Sequence, residues 1–319
     1  MKMRHPNPDM LLHIALGDAY ASCVEYVDRK KHPELYTEAL KFERYLQHPS
    51  HLKLCPGMYT DDTQMSCAVA QALIDAASVF AVSGNGNDCL THEAFVELFF
   101  RAFKRDPRDG YSRGFQAILE EAKSGDHLRQ LIKPDSSKNG AAMRSVPLGI
   151  ISDPHELLRI TGQQAATTHA TYGGINSACA VALMSHYALY EHRGFLHMRE
   201  WCGQYLEIFD VFKRPWDGPV TGKAQGKVDL GVGINTAWAV CTLLEQQKSM
   251  MGIMRQVIDW GGDTDSVAAV AWGIAGARYQ NEILPEFMAR DLEATGNLKY
   301  GPDFLRELGK SLIHAAQWL

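Results

Sequence analysis

Thr60-Asp61-Asp62-Thr63-Gln64-Met65-Ser66-Cys67-Ala68-Val69-Ala70-Gln71-Ala72-Leu73-Ile74-Asp75 is the stretch on which the fold turns. Apolar side chains at Met65, Val69 and Leu73, continued just beyond it by Ala76 and Phe80, stand three or four apart, the spacing that lines one helical face. The hydroxyls and carboxylates at 60–63 stand where such a helix starts. The same spacing recurs over 92–103, 176–190, 235–244, 250–260 and 266–279. Pro154 before His-Glu-Leu-Leu-Arg-Ile sits where the first turn of a helix tolerates proline. No run alternates apolar and polar residues between turns, as a half-buried strand would. The turn-rich segments 83–88, 133–140 and 213–219 are loops, too short for interdomain linkers. The expectation is an all-α fold, one compact multi-helix domain over 1–319 with its motif-bearing core from about residue 11.

Composition narrows the function. The chain has 319 residues, with 32 Lys and Arg against 37 Asp and Glu, 46% hydrophobic and 22% charged residues. That balance is globular rather than disordered. A net charge of −5 supplies no basic footprint, so no nucleic-acid partner is expected. The apolar stretch at 267–277 falls short of the roughly 20 residues that span a bilayer. Asp9, His13 and Asp18 interrupt the N-terminal region where a signal peptide needs an apolar run. No membrane association is expected. Cysteines at 23, 55, 67, 89, 179, 202 and 241 form no Cys-x-x-Cys pair and are odd in number. Scattered thiols point to a reducing compartment, and the expected location is cytoplasmic.

The chemistry concentrates in two acidic runs, Thr60-Asp61-Asp62-Thr63 and Gly261-Gly262-Asp263-Thr264-Asp265-Ser266, each at the entry to an apolar helix. Either alone reads as an N-cap. A cap needs one oxygen, however, and here two carboxylates come with flanking hydroxyls. Hard oxygen donors of this kind suit Mg²⁺ or Mn²⁺, whereas zinc prefers His and Cys. Four carboxylates and their hydroxyls suffice for two divalent cations about 3.5–4 Å apart. Buried together without a cation, the acids would repel. Gly261-Gly262, lacking Cβ atoms, lets the backbone turn sharply and approach a ligand. A third acidic segment carries Asp18 and Glu25, seven apart and so on one face if the segment is helical. Two solvated acids on that helix is the other reading.

Together these segments resemble the ADP-ribosylglycohydrolase family. The resemblance rests on Gly17-Asp18 with Glu25, on the two acidic runs, on Asn139-Gly140-Ala141-Ala142-Met143-Arg144, and on Thr168-His169-Ala170, in order from residue 17 to about 280. It implies an all-helical domain with a binuclear Mg²⁺ or Mn²⁺ site in a central cleft. Thr60, Asp61, Asp62, Asp263, Asp265 and Ser266 would be the ligands, with Ser266 where many members have Thr. Asp62 or Glu25 would orient or deprotonate the attacking water. Asn139, Gly140, Met143, Arg144 and His169, with Gly261 and Gly262, would contact substrate. The implied reaction is hydrolysis of the glycosidic bond in mono-ADP-ribosylated proteins, with arginine as the first attachment residue and ADP-ribose as product. The alternatives are ADP-ribosyl-serine, a small ADP-ribosyl ester, or a non-catalytic protein that binds ADP-ribose or an ADP-ribosyltransferase. Ala21, where relatives often have Gly, with Cys23 and Val24 in place of larger residues, leaves the preferred linkage open.

Other signals are weaker. His92-Glu93 lacks the second histidine of a zinc-protease helix, since position 96 is Val96. Gly231-Val232-Gly233 lacks the third glycine of a dinucleotide fingerprint. His48-Pro49-Ser50-His51 reads as an exposed loop. Trp216 reads as a packed loop anchor ahead of an adenine platform, and Arg144 equally as a substrate contact or as a tie to carboxylates across a loop.

Overall fold

A computed structural model describes residues 2–84, 86, 89–221 and 231–319. Among them helices make up 63%, and no strand forms beyond two isolated bridges, Asp135 with His169 and Val220 with Gly262. Ten helices frame the molecule: α1 Met10–Ala21, α2 Asp61–Ser83, α3 His92–Arg105, α4 Gly140–Met143, α5 Pro154–Ala166, α6 Tyr172–Tyr190, α7 Val232–Gln246, α8 Met250–Trp260, α9 Thr264–Ala275 and α10 Pro302–Ala315.

The helix starts follow from side-chain caps. Thr60, Thr91, Asp153, Thr171 and Ser249 each accept a backbone N–H from the first turn that follows. The 250–260 expectation matches α8 at both ends. The helix expected over 266–279 stops at Ala275. Just beyond it Arg278 turns away, donating from Nε to Ala188 O at 2.7 Å and from Nη2 to Tyr187 O at 3.1 Å at the end of α6.

α9 is the axis. All twelve of its residues are buried, and α1, α2, α6, α7 and α8 pack around it. α1 lies closest: a Cβ on Gly17 would sit 2.6 Å from Ala268 O, so only glycine permits this approach. Helices buried on every side carry no polar stripe, whereas α3, α8 and α10 keep one face to solvent. On α2 the expected stripe is buried at Met65, Val69, Leu73 and Ala76. Phe80, nearer the helix end, is instead 39% exposed, its ring 6.3 Å from Trp318. α2 has 23 residues and, contrary to the shorter stretch singled out above, is long and apolar enough by composition to cross a membrane. Its acidic first turn and buried flank make it the wall of the cleft described next.

The segment leading into α2 is held by a buried ionic knot. Arg108 bonds Asp106 Oδ2 at 2.6 and 2.8 Å, Glu293 Oε1 at 2.7 Å, Glu293 Oε2 at 3.1 Å and Tyr59 O at 2.9 Å. Its guanidinium lies 3.7 Å from the Tyr59 ring centroid. Glu293 in turn accepts the N–H of Tyr59 at 3.0 Å and of Asn297 at 2.9 Å. Buried charges persist when paired and fully hydrogen-bonded, and these are.

Candidate active site

α2 and α9 begin at the same cleft, a cavity of about 790 Å³ lined by Glu25, Asp61, Asp62, Asp263, Asp265 and Ser266. The two acidic runs, about 200 residues apart, are thus one site.

Asp18 supports this site from behind. It is fully buried and accepts from Thr60 N at 3.0 Å, Thr60 Oγ1 at 2.9 Å, Thr63 N at 3.1 Å and Thr63 Oγ1 at 2.6 Å. A carboxylate from α1 therefore satisfies the open N–H groups of α2. Burial still pushes Asp18 up to about 6. The condition that would put Asp18 and Glu25 on one helical face is not met: α1 ends at Ala21, a 3₁₀ turn spans Ser22–Val24, and Glu25 leaves the helix with φ −57° and ψ 120°. Asp18 consequently backs α2 while Glu25 enters the cleft.

The acids raise one another. Burial, then Asp263 and Asp61, push Glu25 up to about 8. Burial, then Asp18, push Asp61 up to about 7. Asp62 and Asp265 are driven well above the carboxylate range, first by burial and then by neighbouring acids, the Ser266 hydroxyl drawing Asp62 partly back. One oxygen from each of Glu25, Asp263 and Asp265 falls within a 4.8 Å group. Asp62 Oδ1 and Asp265 Oδ1 are buried with no hydrogen-bond partner. A buried anionic oxygen without a donor is costly, and a cation is the partner that this donor set fits. Glu25, Asp263 and Asp265 converge closely enough to hold one, and Asp61, Asp62 and Ser266 line the same cleft.

Other expected site residues sit differently. The Thr60 hydroxyl faces inward, 2.9 Å from Asp18 Oδ1 and 3.2 Å from Asp62 Oδ2, and Thr60 does not line the cleft. Gly261 and Gly262 do not line it either. They have φ values of 71° and 82°, and a Cβ on Gly262 would meet Val220 O at 2.2 Å. Their work is the turn that delivers Asp263, whose N–H donates to Val220 O at 2.9 Å.

Asn139, Gly140, Met143, Arg144 and His169 do line the cleft. The Asn139 amide serves an acid, donating to Asp263 Oδ2 at 3.2 Å. Gly140 lies against the His169 ring, where a Cβ would come within 2.9 Å. Burial, then Arg144, hold His169 down at about 3, so the imidazole is neutral, its Nδ1 2.6 Å from Thr168 Oγ1. Arg144 is buried but ties no carboxylate: it bonds Gln164 Oε1, Thr167 Oγ1 at 3.1 Å and Thr168 Oγ1 at 2.8 Å, with Phe99 beneath it. The neutral partners leave its charge oriented rather than neutralised. Trp216 is a packed anchor, 2% exposed and edge-on to Trp238.

Three features escaped the sequence reading. Tyr26 lines the cleft and donates its hydroxyl to Asp263 Oδ2 at 2.9 Å. The outer wall comes from Tyr111, Phe115, Ile118, Leu131 and Ile132, with Lys133 and Lys138 at the rim. His48 is buried rather than exposed, and its Nε2 lies 2.9 Å from Glu25 O. The position of Tyr26 beside Glu25 was the one available signal; the others depend on tertiary placement.

Comparison with known proteins bears on family and fold. The ADP-ribosylglycohydrolase family model matches residues 9–318. The chain is 28% identical to mouse ADP-ribosylhydrolase ARH3 over 292 residues, covering 74% of this chain and 73% of that one. It is 25% identical to the ADP-ribosyl-[dinitrogen reductase] glycohydrolase of Rhodospirillum rubrum over 276 residues, covering 86% and 85%. A solved ADP-ribosylglycohydrolase-related protein complex superposes with a TM-score of 0.69 over 97% of both chains at 22% identity, a likeness of fold.

Proposed function

The chain belongs to the ADP-ribosylglycohydrolase family, and on that premise we propose that it is a divalent-cation-dependent hydrolase releasing ADP-ribose from mono-ADP-ribosylated protein, with arginine as the acceptor. The observation that carries the reading is the pair of partnerless buried oxygens, Asp62 Oδ1 and Asp265 Oδ1, on the floor of a 790 Å³ cleft. Asp61, Asp62, Asp263, Asp265 and Ser266 would hold Mg²⁺ or Mn²⁺, which supplies Lewis acidity to water and ribose hydroxyls.

The chain's own groups divide the remaining work. The acidic floor takes the reacting ribose, whose oxocarbenium-like transition state gains from fixed negative charge. Glu25 projects into the cleft among these acids, where its carboxylate is placed to take a proton from the attacking water. Asp62, which lines the same cleft, orients the water. The apolar wall of Phe115, Ile118, Leu131 and Ile132 suits a purine, and Lys133 and Lys138 at the rim attract a diphosphate. A floor of five acids favours a cationic leaving group, which is why a guanidinium is placed ahead of a serine hydroxyl.

The test is ADP-ribose release from an arginine-ADP-ribosylated protein with Mg²⁺ or Mn²⁺, then with excess chelator. Release that chelation abolishes supports the reading. Release from serine-linked substrate alone overturns the arginine assignment, and release from none, metal present, overturns hydrolysis.

A further inference from the structure

Tyr26 is a non-glycine residue in the left-handed region, with φ at 50°. Three consecutive residues hold it there. Glu25 O accepts from His48 Nε2 at 2.9 Å, and His48 Nδ1 accepts the N–H groups of Ser50 and His51 at 3.0 and 2.9 Å, which places the imidazole proton on Nε2. The Tyr26 N–H donates to Gly262 O at 2.8 Å. Val27 O accepts from the Tyr36 hydroxyl at 2.8 Å. A backbone pinned at each step against its own preference delivers its side chain to a defined place.

That place is Asp263. The Tyr26 hydroxyl donates to Asp263 Oδ2 at 2.9 Å, and Asn139 Nδ2 donates to the same oxygen at 3.2 Å. The two donors come from chain segments more than 100 residues apart and converge on one oxygen of a carboxylate that belongs to the Glu25, Asp263 and Asp265 group. Neither engages Oδ1. Two donors on one oxygen stop the carboxylate rotating and make its two oxygens unequal, the means by which outer groups orient a cation ligand.

We propose that Tyr26 is a positioning residue: with Asn139 it locks the Asp263 carboxylate so that the oxygen opposite its own hydrogen bond is presented to a divalent cation shared with Asp265. The proposal rests on the cation-site reading above and deepens it. Tyr26 does not itself ligate. Tyr26 is 55% exposed and stands outside the hydrophobic core, so removing the hydroxyl disturbs no core packing.

The test is Mn²⁺ binding to the metal-stripped full chain, followed by electron paramagnetic resonance of free Mn²⁺, for the parent and Tyr26→Phe. Melting of both is recorded in chelator. The expected result is a dissociation constant raised about tenfold in Tyr26→Phe with an unchanged melting temperature in chelator. A constant within about twofold of the parent overturns the proposal, as does a weakening matched by lost stability in chelator. Failure of the parent to bind Mn²⁺ overturns the cation-site reading itself, and with it the proposal. The parent and the variant thus separate the two failures.

Discussion

In chelator, the folded protein should lose stability as pH rises from about 6.5 to about 8. The cause is a set of carboxyls that the fold pushes upward. Glu25 moves to about 8 and Asp61 to about 7, while Asp62 and Asp265 lie well above the ordinary range. A group raised in the folded state keeps its proton after the unfolded chain has released its own. The native state then binds more protons, and stability falls with pH until the folded value is passed. His13, His48, His169 and His186 are lowered instead, and they contribute the opposite slope, which fades as pH rises past about 6.5. The upper part of the window therefore belongs to the acids. For Glu25, 1.5 units at 1.36 kcal/mol each gives about 2 kcal/mol lost across the window. The assay is urea unfolding by circular dichroism in chelator at both ends of the window, for the parent and Glu25→Gln. The variant should lose about 2 kcal/mol less than the parent. With Mn²⁺ the slope should flatten or reverse, because the cation competes with protons for the same oxygens. Equal slopes for parent and variant, or a parent more stable at the higher pH in chelator, would refute the reasoning.

Asp62→Asn and Asp265→Asn each remove a charge whose Oδ1 has no partner; ADP-ribose release should fall by about a thousandfold or more, while calorimetry in chelator shows the cation-free fold at least as stable as the parent. Arg108→Met strands Glu293 and Asp106 in the interior, and urea unfolding should report a loss of about 3–5 kcal/mol. Gly17→Ala forces a Cβ to within 2.6 Å of Ala268 O where α1 crosses α9, and the same assay should show about 1–3 kcal/mol lost.

Legibility tracks how local each interaction is. α8, with one wet face and a Ser249 cap, was readable to the residue. α1 and α9 are apolar around their whole circumference, so periodicity could not place the end of α1 or stop α9 at Ala275. Whether Glu25 shares the Asp18 face stayed open for the same reason, because a 3₁₀ turn at Ser22–Val24 leaves no mark in hydrophobic spacing. Both acidic runs were readable because two carboxylates beside hydroxyls exceed what a cap requires. What they meet was not: Asp18 beneath Thr60 and Thr63, His48 beneath Glu25 and Tyr26 on Asp263 are pairings across 23 to 237 residues of chain. His48 shows the limit well, since a proline and a serine beside it are ordinary loop chemistry until the imidazole is seen to close onto a carbonyl.

Glu293 carries a consequence for synthesis. The chain is made from its N-terminus, so Glu25, Asp61, Asp62, Asp263 and Asp265 all leave the ribosome before Glu293 does. Until then the Tyr59 N–H lacks its acceptor and Arg108 has only Asp106 to answer its charge. Growing chains short of residue 293 hold every acid of the cleft without the clamp that ties down Tyr59, two residues before Asp61. The bonds that fix the entry to the cleft-lining helix therefore depend on a residue near the far end of the chain.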